Sequence, residues 1–454
     1  MKYYLWTSGC QMNVADSLRV ASALEKLGYE KTARPEHADV IVLNTCVVRQ
    51  SAENKAYGRL QSLRPIKQRR PEVVINIMGC LVGVKGNPKL AHLFPYVDVF
   101  SPPGDCRPLM EYLTEIDGRS AAFAQTKQIN AILDGDYDLP LEQRGAMVSG
   151  HVPVIHGCSH GCAFCVIPYR RGAEKSRPEA EILSEVGALA RQGVREVNLL
   201  GQIVDRYGMD VGGGASLAEL LRSAHRVPGI DRIRFLTSHP TWMTDRLLDA
   251  IAELPKVCEH IEVPIQSGDD EVLRRMKRGY SVEDYRRLIE RIRSRLPGAS
   301  IATDVIVGFP GETEEQFQHT YDLLADLRLD VAHLARYSPR PDTVASRRMQ
   351  DDVSPEQKMR RFRALEKLQT SIATEIHRQH LGRVVEVLVI EQQRGRWKGR
   401  TRTNKLVFFE AQGDMRGQLV HVRIDWTGPW SMRGQIASEA GSGAKLPQPA
   451  ATIA

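Results

Sequence analysis

The chain has 454 residues, of which 42% are apolar and 26% charged, and its formal net charge is +7. That balance excludes an intrinsically disordered polymer, and no window approaches the ~18 unbroken apolar residues of a membrane-spanning helix. The start, Met1 to Thr7 followed by Ser8, Gly9 and Cys10, lacks the apolar stretch of a secretory signal, so a cytoplasmic location is expected. In that reducing setting the eight cysteines suggest metal ligation before disulfides.

In chain order, the first elements repeat a strand–helix rhythm. Tyr3 to Thr7, Val40 to Asn44, Val73 to Met78 and Val97 to Phe100 read as short strands, with a helix over Asp16 to Leu27 between the first two. This alternation predicts an α/β fold with a doubly wound parallel sheet. Residues 119–147 are irregular and read as a linker. A second series has strands at Val152–His156, Glu196–Leu200, Arg232–Leu236, His260–Ile265, Ala302–Val307 and Ala332–Tyr337. Its helices are expected at Ala180–Gln192, Thr244–Leu254, Val282–Leu296 and Glu314–Leu327. Six β/α units fall short of the eight of a closed barrel, which predicts an open, partial (β/α)6 barrel. A charged helix over 354–380 follows. Then Val384–Ile390, Leu406–Phe409 and Leu419–Ile424 predict a small OB-like β-barrel. From Gly382 to Ile436 there are ten Lys/Arg against five Asp/Glu, the charge expected of a nucleic-acid module. The Ala/Ser/Gly/Pro-rich tail from Ala437 is expected to be disordered.

Two sets of three cysteines carry the chemistry. Cys158, Cys162 and Cys165 form C-x3-C-x2-C directly after the first barrel strand, hence on the face where β/α barrels build active sites. Three thiolates can hold three corners of an iron–sulfur cluster and leave one iron open. Zinc normally takes four ligands, and neither His156 nor His160 stands in a zinc spacing. Cys10, Cys46 and Cys80 each fall just after an N-terminal strand. If those strands are parallel neighbours, the three thiols emerge at one sheet edge, where open α/β sheets bind ligands. Gly9 and Gly79 beside them would let the backbone approach a bulky group. Cys106 and Cys258 fit neither set and read as structural.

The C-x3-C-x2-C motif, with Phe164 before its last cysteine, resembles the signature of radical S-adenosylmethionine enzymes. The resemblance implies a [4Fe-4S] cluster on Cys158, Cys162 and Cys165 whose open iron binds S-adenosylmethionine, and a 5′-deoxyadenosyl radical made from it. It further implies S-adenosylmethionine contacts from Phe164, between the second and third cysteines, and from Gly201, Gln202, Ser238, Gln266 and Asp304 at strand ends on one face.

The whole assembly resembles the methylthiotransferases, with a three-cysteine N-terminal domain (1–118), a linker (119–147), a radical S-adenosylmethionine barrel (148–375), an RNA-binding TRAM barrel (376–437) and a tail (438–454). The resemblance implies a second [4Fe-4S] cluster on Cys10, Cys46 and Cys80 that delivers a methylthio group. Gly9-Cys10-Gln11-Met12-Asn13, Leu199-Leu200-Gly201-Gln202, Pro168-Tyr169-Arg170-Arg171-Gly172 and Gly399-Arg400-Thr401-Arg402-Thr403-Asn404 are similar to the branch that modifies C2 of N6-(dimethylallyl)adenosine at tRNA position 37. Ser8 and Ile203-Val204-Asp205 depart from that branch's commoner residues. Trp397, with Arg396, Lys398, Arg400 and Arg402, supplies the aromatic and basic side chains that read unstacked bases, and packing inside the barrel is the competing role for Trp397. Implied partners are tRNA carrying N6-dimethylallyladenosine in its anticodon loop, a flavodoxin- or ferredoxin-type reductant and sulfur-delivery or cluster-assembly proteins, with no membrane and a monomer as default. Alternatives are the branch for threonylcarbamoyladenosine, the branch for an aspartate of a small-subunit ribosomal protein, and an iron–sulfur redox sensor that binds RNA without catalysis.

Overall fold

The computed structural model describes residues 1–116, 137–212 and 216–437. Residues 119–136 of the expected linker (119–147) and the tail (438–454) therefore lie outside the described residues. The chain divides into two compact units, Met1–Gln369 and Thr370–Ala454. Among the described residues no helix is long and apolar enough to cross a membrane.

The first unit opens with a parallel five-stranded sheet made of β1 (Lys2–Thr7), β2 (Glu30–Lys31), β3 (Val40–Thr45), β4 (Val74–Gly79) and β5 (Val99–Ser101). The spatial order is β2-β1-β3-β4-β5. Successive strands lie on opposite sides of β1, so a topological switch point falls between β1 and β3. Strand alternation supplies two apolar faces. Ile41, Leu43, Ile75 and Ile77 pack with Leu60 and Leu63 of α2 (Gln50–Arg69). Val40, Val42, Val74 and Met78 pack with Val20 and Leu24 of α1 (Gln11–Lys26) and Leu109 and Leu113 of α4 (Arg107–Ile116), whereas α3 (Pro88–Leu93) places Leu90 in the core on the α2 face.

The β/α series forms two three-stranded parallel sheets. One contains β6 (Ser149–Pro153), β9 (Glu196–Leu200) and β10 (Arg232–Leu236), and the other β11 (His260–Glu262), β12 (Ser300–Val307) and β13 (Val331–Arg336). Between β10 and β11 the ladder shrinks to one bridge, Ile233 to Val257. The expected fourth strand, His260–Ile265, stops at Glu262. Pro264 has no N–H to donate, and Gln266 takes φ +75°. The expected first strand, Val152–His156, is split. After Pro153 the backbone leaves the sheet, and β7 (Ile155–His156) pairs antiparallel with β8 (Lys175–Ser176), bracketing α5 (Ile167–Arg171).

Helices α6 (Glu179–Arg191), α8 (Asp245–Glu253), α10 (Val282–Arg295) and α11 (Glu314–Leu327) match the apolar stripes read in the sequence. Two further short helices were not anticipated from the sequence. They are α7 (Leu217–His225), with a Ser216/Glu219 capping box, and α9 (Asp270–Met276), capped by Asp269. The short α12 (Val344–Arg348) precedes α13 (Pro355–Arg378), where the charged helix was expected.

The second unit is a closed five-stranded barrel, β14 (Val384–Gln393), β15 (Arg396–Thr401), β16 (Leu406–Glu410), β17 (Leu419–Thr427) and β18 (Met432–Ile436), ordered β14-β15-β16-β18-β17. Only β16 and β18 pair in parallel. Periodicity anticipated three of these strands. It missed β15 and β18, whose outward positions are occupied by Arg, Lys and Gln and whose inward ones include Gly399 and Gly434. At Gly399 a Cβ would come within 2.4 Å of the Leu388 carbonyl oxygen, so the barrel wall requires glycine there.

Candidate active site

β1, β3 and β4 are adjacent and parallel, so the residues that follow them, Cys10, Cys46 and Cys80, emerge at the same carboxyl edge beside the switch point. Close approach is built into the backbone. A Cβ on Gly9 (φ +128°) would stand 2.6 Å from Cβ of Cys46, and one on Gly79 (φ +95°) would stand 2.5 Å from the Thr45 carbonyl oxygen. Asn13 ties the loops together, its Nδ2 donating to the carbonyls of Ser8 (3.0 Å) and Thr45 (2.9 Å) and to Asn44 Oδ1 (3.1 Å). Cys46 and Cys80 are buried, and burial pushes the Cys46 thiol up and the Cys80 thiol up to about 11. Cys10 raises both electrostatically and Cys46 raises Cys80, which places the three thiols in one small region.

Cys158, Cys162 and Cys165 occupy the loop between β7 and α5, at the mouth of the partial barrel. The loop base is pinned because Gly157 (φ +68°) lies so close to Ala173 that a Cβ would meet its carbonyl oxygen at 2.1 Å. Each sulfur has a donor. The His160 N–H reaches Cys158 Sγ (3.4 Å), Arg278 Nη1 reaches Cys162 Sγ (3.2 Å) and the Ile167 N–H serves Cys165. Burial raises the Cys158 thiol and pushes Cys165 up to about 12. Such thiols stay protonated until a metal displaces the proton.

Each triad carries one buried guanidinium that local reading did not single out as a site residue. Arg278 bonds Cys162, the Pro264 carbonyl (3.1 Å) and the Tyr280 hydroxyl (2.8 Å). Arg171, the last residue of α5 and only six positions beyond Cys165, crosses to the other triad. It donates to Asn13 Oδ1 (2.9 Å) and Cys80, and lies 3.4 Å from Asp16. Burial opposes its charge, yet Cys80, Asp16 and Cys10 outweigh that and raise its pKa.

The barrel mouth is polar and only partly satisfied. Gly201 follows β9 where a Cβ would collide with Ile155 at 2.5 Å, and Gln202 beside it is half-buried. Among the described residues, buried Ser238 Oγ, His239 Nε2, His160 Nε2 and Gln266 Oε1 have no hydrogen-bond partner, which in a native fold calls for a ligand or water. Thr237 (φ +68°) and Gln266 (φ +75°) are non-glycine residues in left-handed conformations at strand ends, strain of the kind found at binding sites. Trp242, Tyr280 and His160 surround the His239 ring at 4.5–5.3 Å, and burial holds His239 down at about 2, hence neutral. Asp304 is half-buried on β12, its carboxyl raised by burial, and faces Glu262, pushed up to about 7 by burial and by Asp304. Phe164 packs with Ile306 and buried Phe309 around Ala163.

Among the described residues no three His, Cys, Asp or Glu side chains close on a single metal ion. A [4Fe-4S] cluster instead takes each thiolate on a different iron, so it suits thiols that are near without converging. The donor set at Cys158, Cys162 and Cys165, with one N–H per sulfur, fits such a cluster, and the unpaired mouth residues fit a polar ligand beside it.

The proposed RNA set is divided by the barrel. Trp397 points inward and is 4% exposed among Val387, Val407, Phe409 and Met432, so the expectation that its ring meets RNA is corrected: it is a core residue. Strand period puts Arg396, Lys398 and Arg400 on the outside, bonded to Glu410, Glu391 and Asn404, with Arg402 half-buried in the following turn. Cys106 and Cys258 are both buried.

Residues 152–324 match the Radical SAM superfamily and residues 2–101 match the Uncharacterized protein family UPF0004. A tRNA-2-methylthio-N(6)-dimethylallyladenosine synthase of Chloroflexus aurantiacus is 45% identical over 95% of this chain and 91% of its own length. Its counterpart of Herpetosiphon aurantiacus is 45% identical over 96% of this chain and 98% of its own. The solved radical S-adenosylmethionine methyltransferase TsrM of Kitasatospora setae, with cobalamin and a [4Fe-4S] cluster bound, shares the fold at TM-score 0.56 and 16% identity, over 76% of this chain and 74% of that one. Similarity of this extent, running through both cysteine triads, means that the chain belongs to the family of tRNA-2-methylthio-N(6)-dimethylallyladenosine synthases.

Proposed function

We propose that this protein replaces the C2–H of N6-(dimethylallyl)adenosine at tRNA position 37 with C2–SCH3. The observation that carries this reading is the pair of three-thiol sites, each with its own buried arginine, connected by the short segment from Cys165 to Arg171. A [4Fe-4S] cluster on Cys158, Cys162 and Cys165 with S-adenosylmethionine supplies radical chemistry, and a second cluster on Cys10, Cys46 and Cys80 supplies a place for sulfur. The protein's own residues bind and orient. Gly201 and Gln202 would hold the methionine end of S-adenosylmethionine, Ser238 and Gln266 would offer it their unpaired polar atoms, Asp304 would serve its adenine end, and Phe164 would shield the cluster. Neutral His239, flanked by the Trp242 and Tyr280 rings, adds no positive charge beside the site. We further assign domains at 1–118, 148–375 and 376–437, the last a TRAM-type RNA-binding barrel, and a flavodoxin- or ferredoxin-type electron donor.

Anaerobic reconstitution should yield about eight irons per chain, falling to about four when Cys10, Cys46 and Cys80 are all replaced by Ala. Four irons in both proteins would remove the second cluster. Nucleoside mass spectrometry of tRNA from cells lacking the mark should show 2-methylthio-N6-dimethylallyladenosine restored. Restoration of the threonylcarbamoyl analogue instead would reassign the substrate.

A further inference from the structure

The outer wall of the C-terminal barrel carries an aromatic patch with no role in the site above. Along β17, Val420, Val422 and Ile424 point inward while His421 and Arg423 point out. A bulge between Ile424 and Trp426 then inserts one extra residue opposite β18. A bulge re-aims the side chains beyond it, and here consecutive Asp425 and Trp426 both face solvent. Trp426 is 46% exposed and pairs directly across the ladder with Arg433. The Arg433 guanidinium lies 5.9 Å from the ring centroid, and its Nε donates to Asp425 Oδ1 at 3.3 Å. The ring rests on Gly428, where a Cβ would come within 2.6 Å, and the Gly428 carbonyl is held by His377 Nδ1 at 2.6 Å. On the same turn Trp430 is 61% exposed.

Tryptophan on a surface leaves a large apolar area in water, so this patch selects a partner. Its outward neighbours are mostly polar, Arg423, Arg433, His421 and Gln435, with Asp425 bonded to Arg433 and with exposed Val384 beside Arg423 and Ile436 at the end of β18, and the barrel segment 382–436 carries five more Lys/Arg than Asp/Glu. A flat π face combined with negative charge satisfies both features, which is what an unpaired nucleotide presents. We propose that Trp426 and Trp430, with Arg433, form a stacking platform for unpaired nucleotides of the RNA substrate, in place of the buried Trp397. This inference rests on the RNA-substrate reading above.

The test measures binding of a fluorescein-labelled anticodon stem–loop RNA to the full chain by anisotropy, with a fully duplex RNA of equal length as competitor. Trp426→Ala and Trp430→Ala should each weaken binding about tenfold, within the range found for base–aromatic stacking, while Trp426→Phe retains most of it. Duplex RNA should compete poorly. Wild-type tryptophan emission should be quenched by the RNA, an effect reduced in Trp426→Phe, and this readout does not depend on the alanine variants folding. Unchanged affinity in the Trp426→Ala/Trp430→Ala double variant, with unchanged circular dichroism, would overturn the platform. So would equal competition by duplex RNA, which marks a phosphate-only contact. Absence of RNA binding by the wild-type chain would instead refute the RNA-substrate reading itself.

Discussion

Replacing Arg171 by methionine removes a guanidinium whose side chain is 3% exposed and whose partner Asp16 is fully buried, 3.4 Å away. Losing one member of a buried pair costs about 3–5 kcal/mol, because the other charge is stranded. Here the lower end applies. Asp16 is already raised by burial and can take up a proton, and Arg19 also acts on it electrostatically. Arg171→Met should therefore lose about 3 kcal/mol in chemical denaturation of the apo chain. Adding Asp16→Asn keeps an acceptor for the Gly104 N–H and removes the stranded carboxylate, so the double variant should recover most of that loss. Iron retention should behave differently. Neither variant restores the donor to Cys80 and Asn13, so both should surrender iron from the Cys10/Cys46/Cys80 site to a chelator faster than wild type. Arg171→Lys, with charge but no fork, should fall between. Recovery of both stability and iron retention in the double variant would show that Arg171 merely neutralises Asp16, and the link argued between the two triads would fail.

Gly79→Ala forces φ +95° on a residue with a Cβ and drives that Cβ against the Thr45 carbonyl, so a loss of about 1–2 kcal/mol from conformation alone is expected, with reduced iron at the N-terminal triad and full iron at Cys158, Cys162 and Cys165 by Mössbauer counting. Burial pushes Asp205 from 3.8 up to about 7, so the folded state holds a proton that the unfolded state releases. Its contribution is fully present below pH 3.8 and is lost as pH rises to about 7. Asp205→Asn still accepts the His239 N–H and should flatten the fall in stability over that window, and parallel pH profiles would contradict the assignment. Trp397→Ala should destabilise the C-terminal unit by about 3–5 kcal/mol, whereas Trp397→Phe, which removes a buried indole N–H lacking a partner, should cost under about 1.5 kcal/mol by calorimetry.

What the sequence by itself determined is local and periodic. The spacing of Cys158, Cys162 and Cys165 was legible because all three belong to one loop. Strands such as Glu196–Leu200 and Arg232–Leu236 were legible to the residue, because Val197 and Leu199, and Ile233 and Phe235, alternate with polar residues in short segments between helical patterns. The position of Cys10, Cys46 and Cys80 after three strands implied a common edge, but only the order β1-β3-β4 made the strands neighbours. Tertiary structure alone decided the arginines. Arg171 meets Asn13 across 158 residues and Arg278 meets Cys162 across 116, distances over which no periodicity carries information. It also decided which tryptophan faces water. Trp397 and Trp426 each sit among basic residues on a β-rich segment. The regular pleat of β15 turns the first into the core, and one inserted residue in β17 turns the second out.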